Sequence, residues 1–480
     1  MRIKVKHLVV FGLLSLALGT QLKAASDDLR LVEATKHRDS KSISLLLKQL
    51  VDVNTPQPDG ATPLHWSTHW NDLETVDLLL RAGANVNASN DFGVTPLSLA
   101  CTNGSVTMVQ KLLKAGADSN AVLPSGETLL MTAARTGNAD VISTLLNNGA
   151  DIHAREITKK QTALMWTVSE SHLEAARTLI DHGAEVQARS ASDFTPLLFA
   201  ARQGNLDMVH LLLASGSDVN ETAADGSTPL LITTVLGHFE LAEFFLKAGA
   251  NPNADGAGYT ALHWIAGTWE SHMTPQFEHT PRAERWFGLP STRRITFAQT
   301  LLNYGANPNS RLLKQPPRYG SSIIARNYFI GGTPFYLAAS AGNVDMMELL
   351  LSRGADPLLM AENKTTALTM AAGLTFLKSE SIQPENNHLE AVRLCVEVGI
   401  DINAVNDTGD TALHGAAFAG FDTIAEFLVN AGADMHLKNI NLQTPLGVAE
   451  GGRCCSSNSM MVYKQESTAS LLRRLDSLGD

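Results

Sequence analysis

One short pattern returns along this chain at a fixed distance. Thr followed by Pro or Ala and then Leu, or a near variant, recurs with its Thr at 62, 95, 128, 162, 195, 228, 260, 333, 366, 411 and 444. The commonest interval is 33 residues. A second marker, Gly-Ala or a near variant followed by Asp or Asn, any residue and Asn, closes most units, as at residues 83–87, 249–253 and 305–309. A period of this length means that each unit is one supersecondary element, too small to bury its own apolar face, so that stacking on neighbours builds the core. The 480 residues therefore read as one array and not as three unrelated domains.

Each unit reads as turn, helix, helix. Thr62 is suited to cap a helix N-terminus, because its hydroxyl can accept from an unsatisfied backbone N–H. Pro63 then stands at the first helical position, where its missing N–H costs nothing. The run Leu64 to Trp70 (LHWSTHW) is one short helix. Asp72 and Leu73 open a second, with Leu73, Val76, Leu79 and Leu80 on one face. Gly83 ends it, since glycine accepts the left-handed conformation needed just past a helix. The polar stretch to the next Thr, rich in Asn, Asp and Gly, is a turn or hairpin.

These residues resemble the ankyrin repeat. Gly226-Ser227-Thr228-Pro229-Leu230, Gly237-His238 and the Phe-Leu-Lys-Ala-Gly-Ala ending at Ala250 follow its pattern, as do Thr-Pro-Leu-His at 62–65 and Thr-Ala-Leu-His at 260–263 and 411–414. The resemblance covers nearly the whole chain after its first residues. It implies an all-α repeat solenoid of about twelve units, each a helix-turn-helix with a β-hairpin finger. Residues 27–54 look like a further, N-terminal unit without the Thr signature, as expected of a cap. The segment from Gly331-Gly-Thr-Pro-Phe-Tyr-Leu-Ala-Ala339 to Met370-Ala-Ala-Gly373 also looks like a group of exported bacterial ankyrin proteins in which a long finger precedes a Thr-Pro-Phe unit. That likeness implies a periplasmic or secreted setting and no activity.

The irregular intervals place insertions. The unit of Thr260 carries extra residues between its helices, around Thr268–Ser291, and the next finger carries more, around Arg311–Phe329. A third insertion falls near Leu377–His388 and a fourth at Gly451–Gln465, before a closing helix around Glu466–Leu478. The expected organisation is a signal peptide at 1–24, a capping unit at 25–61, a regular block at 62–259, a unit with long insertions at 260–332, repeats with one insertion at 333–443 and a C-terminal cap at 444–480.

The first residues have the three parts of a secretory signal. Arg2, Lys4, Lys6 and His7 form a basic start, Leu8 to Gly19 is an apolar run, and Ala24, Ala25 and Ser26 offer a cleavage site. The run is too short for the roughly 20 residues that a membrane-spanning helix needs. An uncleaved anchor or a buried helix is the other reading of the same residues. No Cys follows the run, so lipid attachment there is excluded. Cleavage after Ala24 removes four basic residues and no acid, which makes a chain of net charge −11 more acidic still. Such a chain is a poor partner for duplex nucleic acid or an anionic membrane.

A search for chemistry yields little. The chain has no Gly-x-Gly-x-x-Gly, no phosphate-binding Gly-Lys-Ser/Thr loop, no Gly-x-Ser-x-Gly elbow and no Cys-x-x-Cys-His. We assign no catalytic residue, cofactor or metal. His65, His263 and His414 share one repeat position, where ankyrin units use His to brace the turn by hydrogen bonds. His272, Glu278, His279 and Glu284 lie in the first insertion at spacings that match no rigid helical pair of zinc ligands. Cys101 and Cys395 stand at core positions, too far apart along the array to be bridged. Cys454-Cys455 is open between a vicinal disulfide, an intermolecular bridge and two idle thiols.

A stack of such units offers a continuous surface of finger tips and first-helix ends. Counting along each unit gives His69, Trp70, Arg135, Arg202, Leu236 and Phe418 at helix ends, and Glu127, Phe194 and Tyr259 at finger tips. Trp286 and Phe287, flanked by Arg282 and Arg285 in the first insertion, add residue types enriched in binding hot spots. Packing of the insertions onto the array is the plainer reading of Trp286, Phe287 and Tyr328. Exposed aromatics among acids point to a protein partner, held on the concave face and the insertions by a monomeric, non-enzymatic scaffold outside the cytoplasm. A secreted effector or toxin-neutralising factor acting on another cell is the second reading. An enzyme with the insertion at 268–329 as a lid is the third, and it needs an acid–base pair that sequence does not place.

Overall fold

A computed structural model describes residues 28–267, 291–316, 328–375, 385–452 and 464–479. The signal-like segment, Trp286 and Phe287, the four insertion residues weighed as metal ligands and Cys454-Cys455 lie outside them. The chain divides into two compact units, residues 1–217 and 218–480.

In the first unit, a helix pair Arg30–Lys36 and Ser40–Lys48 precedes five repeats. Their inner helices are Pro63–His69, Pro96–Thr102, Leu129–Thr136, Ala163–Ser169 and Pro196–Gln203, each packed on the next. The outer helices are Leu73–Arg81, Val106–Lys114, Ala139–Asn147, Leu173–Asp181 and Leu206–Ala214. In the second unit the inner helices are Pro229–Leu236, Ala261–Ala266, Pro334–Ser340, Ala367–Ala371, Ala412–Ala419 and Pro445–Ala449. Its outer helices are Phe239–Lys247, Ser291–Asn303, Val344–Ser352, Glu385–Glu397, Asp422–Asn430 and Glu466–Gly479. The helix that opens at Glu385 takes up the last residues expected in the third insertion, His388 included, and buries that imidazole against Phe421 at 5.4 Å between ring centres.

Local chemistry sets these boundaries. The hydroxyls of Thr95, Thr128, Thr162, Thr195 and Thr228 each accept from the N–H three residues on, and Pro follows at the first helical position in the repeats of Thr95, Thr195 and Thr228. Asp72 caps the outer helix in the same way, accepting from Thr75 N at 3.1 Å. Gly83 stops it at φ 93°, a conformation that costs a residue with Cβ roughly 1 kcal/mol or more. Val76, Leu79, Met108, Val109 and Leu112 are fully buried along the outer helices. Each contributes about 1.5–3 kcal/mol by leaving water. Cys101 and Cys395 are buried core thiols, as expected.

The fingers are turns. Among the described residues no strand forms, and one isolated antiparallel bridge joins Val122 to Thr128. Side-chain acceptors take the place of paired strands: Asn90 Oδ1 accepts from the N–H groups of Phe92 and Val94 at 3.0 and 2.9 Å. The expected hairpins are thereby corrected, because the finger's backbone donors are already met within one turn.

A ladder of amides ties most repeats to the next. Asn120 donates from Nδ2 to Gly149 O at 2.8 Å and accepts on Oδ1 from Asp151 N at 2.7 Å. Asn54 and Asn87 do the same in the first unit, and Asn220, Asn253, Asn309 and Asn403 in the second. This is what the closing Asn of the second sequence marker is for. His153 stands where the next rung of the first unit belongs, and makes no such pair.

Candidate docking surface on the inner helices

The three histidines brace their turns. In the repeat of Thr260, Nδ1 of His263 accepts from Thr260 N at 3.2 Å and meets the Thr260 hydroxyl at 2.9 Å. Because Nδ1 accepts, Nε2 carries the proton and donates to Ser310 O at 3.0 Å. His65 does the same between Thr62 and Val94 O, and His414 between Thr411 and Gln443 O. Burial holds the His263 imidazole down to about 4 and lowers His65 and His414 as well. These rings are structural ties between a helix start and the next finger.

The inner face of the first unit is built on the residue four after each Thr. Trp66, Leu99, Trp166 and Phe199 occupy that position and are half-buried, while Thr132 is buried. The residue before the Thr packs or bonds onto it. Phe194 meets Phe199 edge-on with ring centres 5.4 Å apart, and Thr132 donates to Glu127 Oε1 at 2.9 Å. Glu127 also lies 3.6 Å from the Arg135 guanidinium. Arg202 is exposed, with no ion-pair partner among the described residues.

At the N-terminal end the aromatics cluster. His69 and Trp70 are exposed, Trp70 at 41%, and their rings lie 4.7 Å apart. Trp66 stacks on Trp70 at 6.5 Å, with the Lys36 ammonium 5.6 Å from its ring centre. Trp70 Nε1 donates to Lys36 O at 3.1 Å and Trp66 Nε1 to Gln57 Oε1 at 3.0 Å. Trp166 differs: its buried indole N–H meets no acceptor among the described residues. The first unit thus brings six predicted residues onto one face: His69, Trp70, Glu127, Arg135, Phe194 and Arg202.

Two aromatics predicted as exposed are not. Tyr259 is 8% exposed, stacked on Trp264 at 6.2 Å, and burial raises its phenol to about 12. The following finger covers it, with Leu313 N and Lys314 N both donating to Gly258 O at 2.8 and 3.0 Å. Phe418 is also 8% exposed, because the chain returning from the last insertion crosses the helix end, where Gln465 Nε2 donates to Phe418 O at 3.1 Å. Leu236 is half-buried. Tyr328 is buried as its plainer reading required.

Sequence reasoning missed the position four after the Thr, although its signal is legible in LHW at 64–66, LMW at 164–166, LLF at 197–199 and LHW at 262–264. It also missed Arg294, a buried guanidinium on helix Ser291–Asn303 that donates to Trp264 O, Ile265 O and Gly267 O. A cation on those last carbonyls suits the negative end of helix Ala261–Ala266. Desolvation draws Arg294 down to about 10, which leaves it charged at neutral pH.

Paired helices, capped by Thr and joined by amide ladders, define a helical-repeat scaffold of the kind that binds protein partners. The family model described as "Ankyrin repeats (3 copies)" matches residues 31–123, 71–156, 97–190, 130–223, 197–271 and 381–439, and the "Ankyrin repeat" model matches 331–362. The chain belongs to the ankyrin-repeat family. It is 36% identical over 129 residues to the B-cell lymphoma 3 protein homolog of Mus musculus, covering 27% of this chain and 26% of that protein. A putative ankyrin repeat protein of Borreliella burgdorferi is 31% identical over 86 residues, covering 17% of this chain and 39% of the other. The chain thus spans only a minor part of the relatives it matches. The human ASB11 ankyrin repeat domain aligns at 28% identity and a TM-score of 0.39, covering 42% of this chain and 90% of that one.

Proposed function

We propose that this protein is an exported, non-enzymatic scaffold that docks a protein partner on the inner helices of its first unit. The observation that carries the reading is the inner face itself: Trp66, Trp70, Trp166 and Phe199 stand half-buried or exposed on the run of inner helices that also carries Arg135 and Arg202. Aromatic rings and guanidinium groups supply most of the binding energy at protein interfaces. Export rests on the basic start, apolar run and small residues of the first 26 positions.

The test is a cross-linked pull-down from envelope extract with the tagged chain, against a variant carrying Trp70→Ala, Phe194→Ser, Arg135→Ala and Arg202→Ala. One dominant partner lost in the variant supports the reading. A partner that survives moves the site off the inner face. Absence from the envelope, with the protein itself in the medium, replaces the scaffold reading with a secreted factor acting on another cell.

A further inference from the structure

The finger edge of the first unit carries an apolar row that the inner face does not explain. Phe92, Val122 and Ile157 are 68%, 58% and 61% exposed, on three successive fingers. These fingers touch. A Cβ on Gly93 would lie 2.6 Å from Pro124 Cδ, and one on Gly126 would lie 2.5 Å from Ile157 Cγ1. Backbone bonds extend the edge both ways, with Asp91 N donating to Asp59 O at 3.0 Å and Ala191 N to Lys159 O at 2.7 Å. The last tip is preformed: the Glu156 carboxylate accepts from the N–H groups of Thr158, Lys159 and Gln161 at 2.7, 2.6 and 3.1 Å.

The row is also polar from end to end. Asp91 is exposed next to Phe92, and Asp59 stands half-buried on the finger before, its carboxylate accepting from Ala61 N and Gln57 Nε2. Lys159 and Lys160 are exposed beyond Ile157, while Arg155 beside them lies 3.8 Å from Glu185. Two lysines at one tip stand out in a chain of net charge −11.

We infer that this edge is a second docking surface, distinct from the inner face, and that it takes an amphipathic α-helix of a partner protein. Successive repeats follow the helix packing distance of about 8–10 Å. An α-helix rising 1.5 Å per residue advances that far in roughly seven residues, close to two full turns, so residues seven apart return to the same face. A β-strand covers the step in about three residues, which turns alternate side chains away. A polyproline helix also fits the step, at roughly 9 Å per three residues, but has no internal hydrogen-bond ladder to build a macrodipole. The charge pattern selects the α-helix and its direction: the positive N-terminal end lies over Asp59 and Asp91, the negative C-terminal end over Lys159 and Lys160.

The test is fluorescence anisotropy with the purified chain and three labelled probes. One is an 18-residue helical peptide with leucines on one face and glutamates in its last turn. The second carries those glutamates in its first turn, and the third is an oligoproline with interspersed leucines. The expected result is saturable binding of the first peptide, about tenfold weaker for Phe92→Ser with Ile157→Ser and about threefold weaker for Lys159→Gln with Lys160→Gln. Trp70→Ala with Arg202→Ala should leave it unchanged, which separates this surface from the inner face. Thermal melts of the Phe92/Ile157 variant should match the parent, since both side chains are mostly exposed. Absence of saturation by the first probe, preference for the reversed peptide or the oligoproline, or indifference to the Phe92/Ile157 substitutions would overturn the inference.

Discussion

Acid should loosen the second unit, and the structure gives the size of the effect. His263 is fully buried, and its fold-specific bonds need a neutral ring that accepts on Nδ1 and donates from Nε2. Its pKa in the fold is about 4, against about 6.5 once unfolded, and desolvation is the chief cause. Between those values the unfolded chain binds the extra proton. Stability is therefore complete above pH 6.5 and falls as the pH drops toward 4. The loss from this one residue is about 2 kcal/mol by pH 5 and about 3 kcal/mol by pH 4. His388, also held to about 4 by burial, adds a similar loss. Together they approach the whole stability of an ordinary domain, about 5–15 kcal/mol. Urea melts followed by circular dichroism at pH 7, 5.5 and 4.5 read the slope. His263→Gln keeps one acceptor and one donor without a titrating ring, and should flatten the dependence by about 2.4 kcal/mol across that range. An unchanged slope in His263→Gln would refute the reasoning.

Other outcomes follow from single contacts. Asn120→Ala removes both bonds of a ladder rung and should cost about 1–2 kcal/mol in urea melts, with Asn120→Asp intermediate because the acceptor survives. Gly226→Ala should be far more harmful than Gly83→Ala: both have positive φ, but the added Cβ at 226 would lie 2.1 Å from Gly256 C, whereas at 83 nothing lies within 4 Å. Thermal shifts of the two variants make that comparison. Trp66→Phe should destabilise more than Trp166→Phe by about 1 kcal/mol, since only Trp66 loses a bonded indole N–H.

The fold was legible because its signals are local and repeated. Thr at the cap, Pro at the first turn, Asp72 before an outer helix and Gly83 after it each act within a few residues, and eleven copies leave no ambiguity about the period. Counting along the uninterrupted repeats of the first unit reaches the helix ends and finger tips, His69, Trp70, Glu127, Arg135, Phe194 and Arg202, but passes over Trp66, Trp166 and Phe199 four after each Thr. Counting failed at Tyr259 and Phe418 for one reason. Each is covered by chain that follows an irregular interval, the strip at Leu313–Lys314 and the return at Gln465, and the path of such a strip is not written in the repeat it covers. Arg294 escaped notice likewise, because its partners are carbonyls some thirty residues away, set by tertiary packing. The fingers were read as hairpins because Asn, Asp and Gly serve both hairpins and single turns; the side-chain bonds of Asn90 decided for turns.

The amide ladder bears on how the first unit comes apart. Pulled along its length, a stack of repeats shares the load among the rungs between neighbours. Asn54, Asn87 and Asn120 each carry a two-way rung, whereas His153 carries none, and Gln187 donates only to Gly216 O. The seam between the repeats of Thr128 and Thr162 therefore lacks an amide rung and rests on helix packing, the contact of His172 Nε2 with Arg135 O at 3.1 Å, the bonds of Arg155 to Arg189 O and Glu185, and the 3.4 Å bond from Ile157 N to Ser125 O. Under force or in an early stage of unwinding, the chain should crack there and shed its N-terminal repeats as one block, much as a zipper parts at a missing tooth.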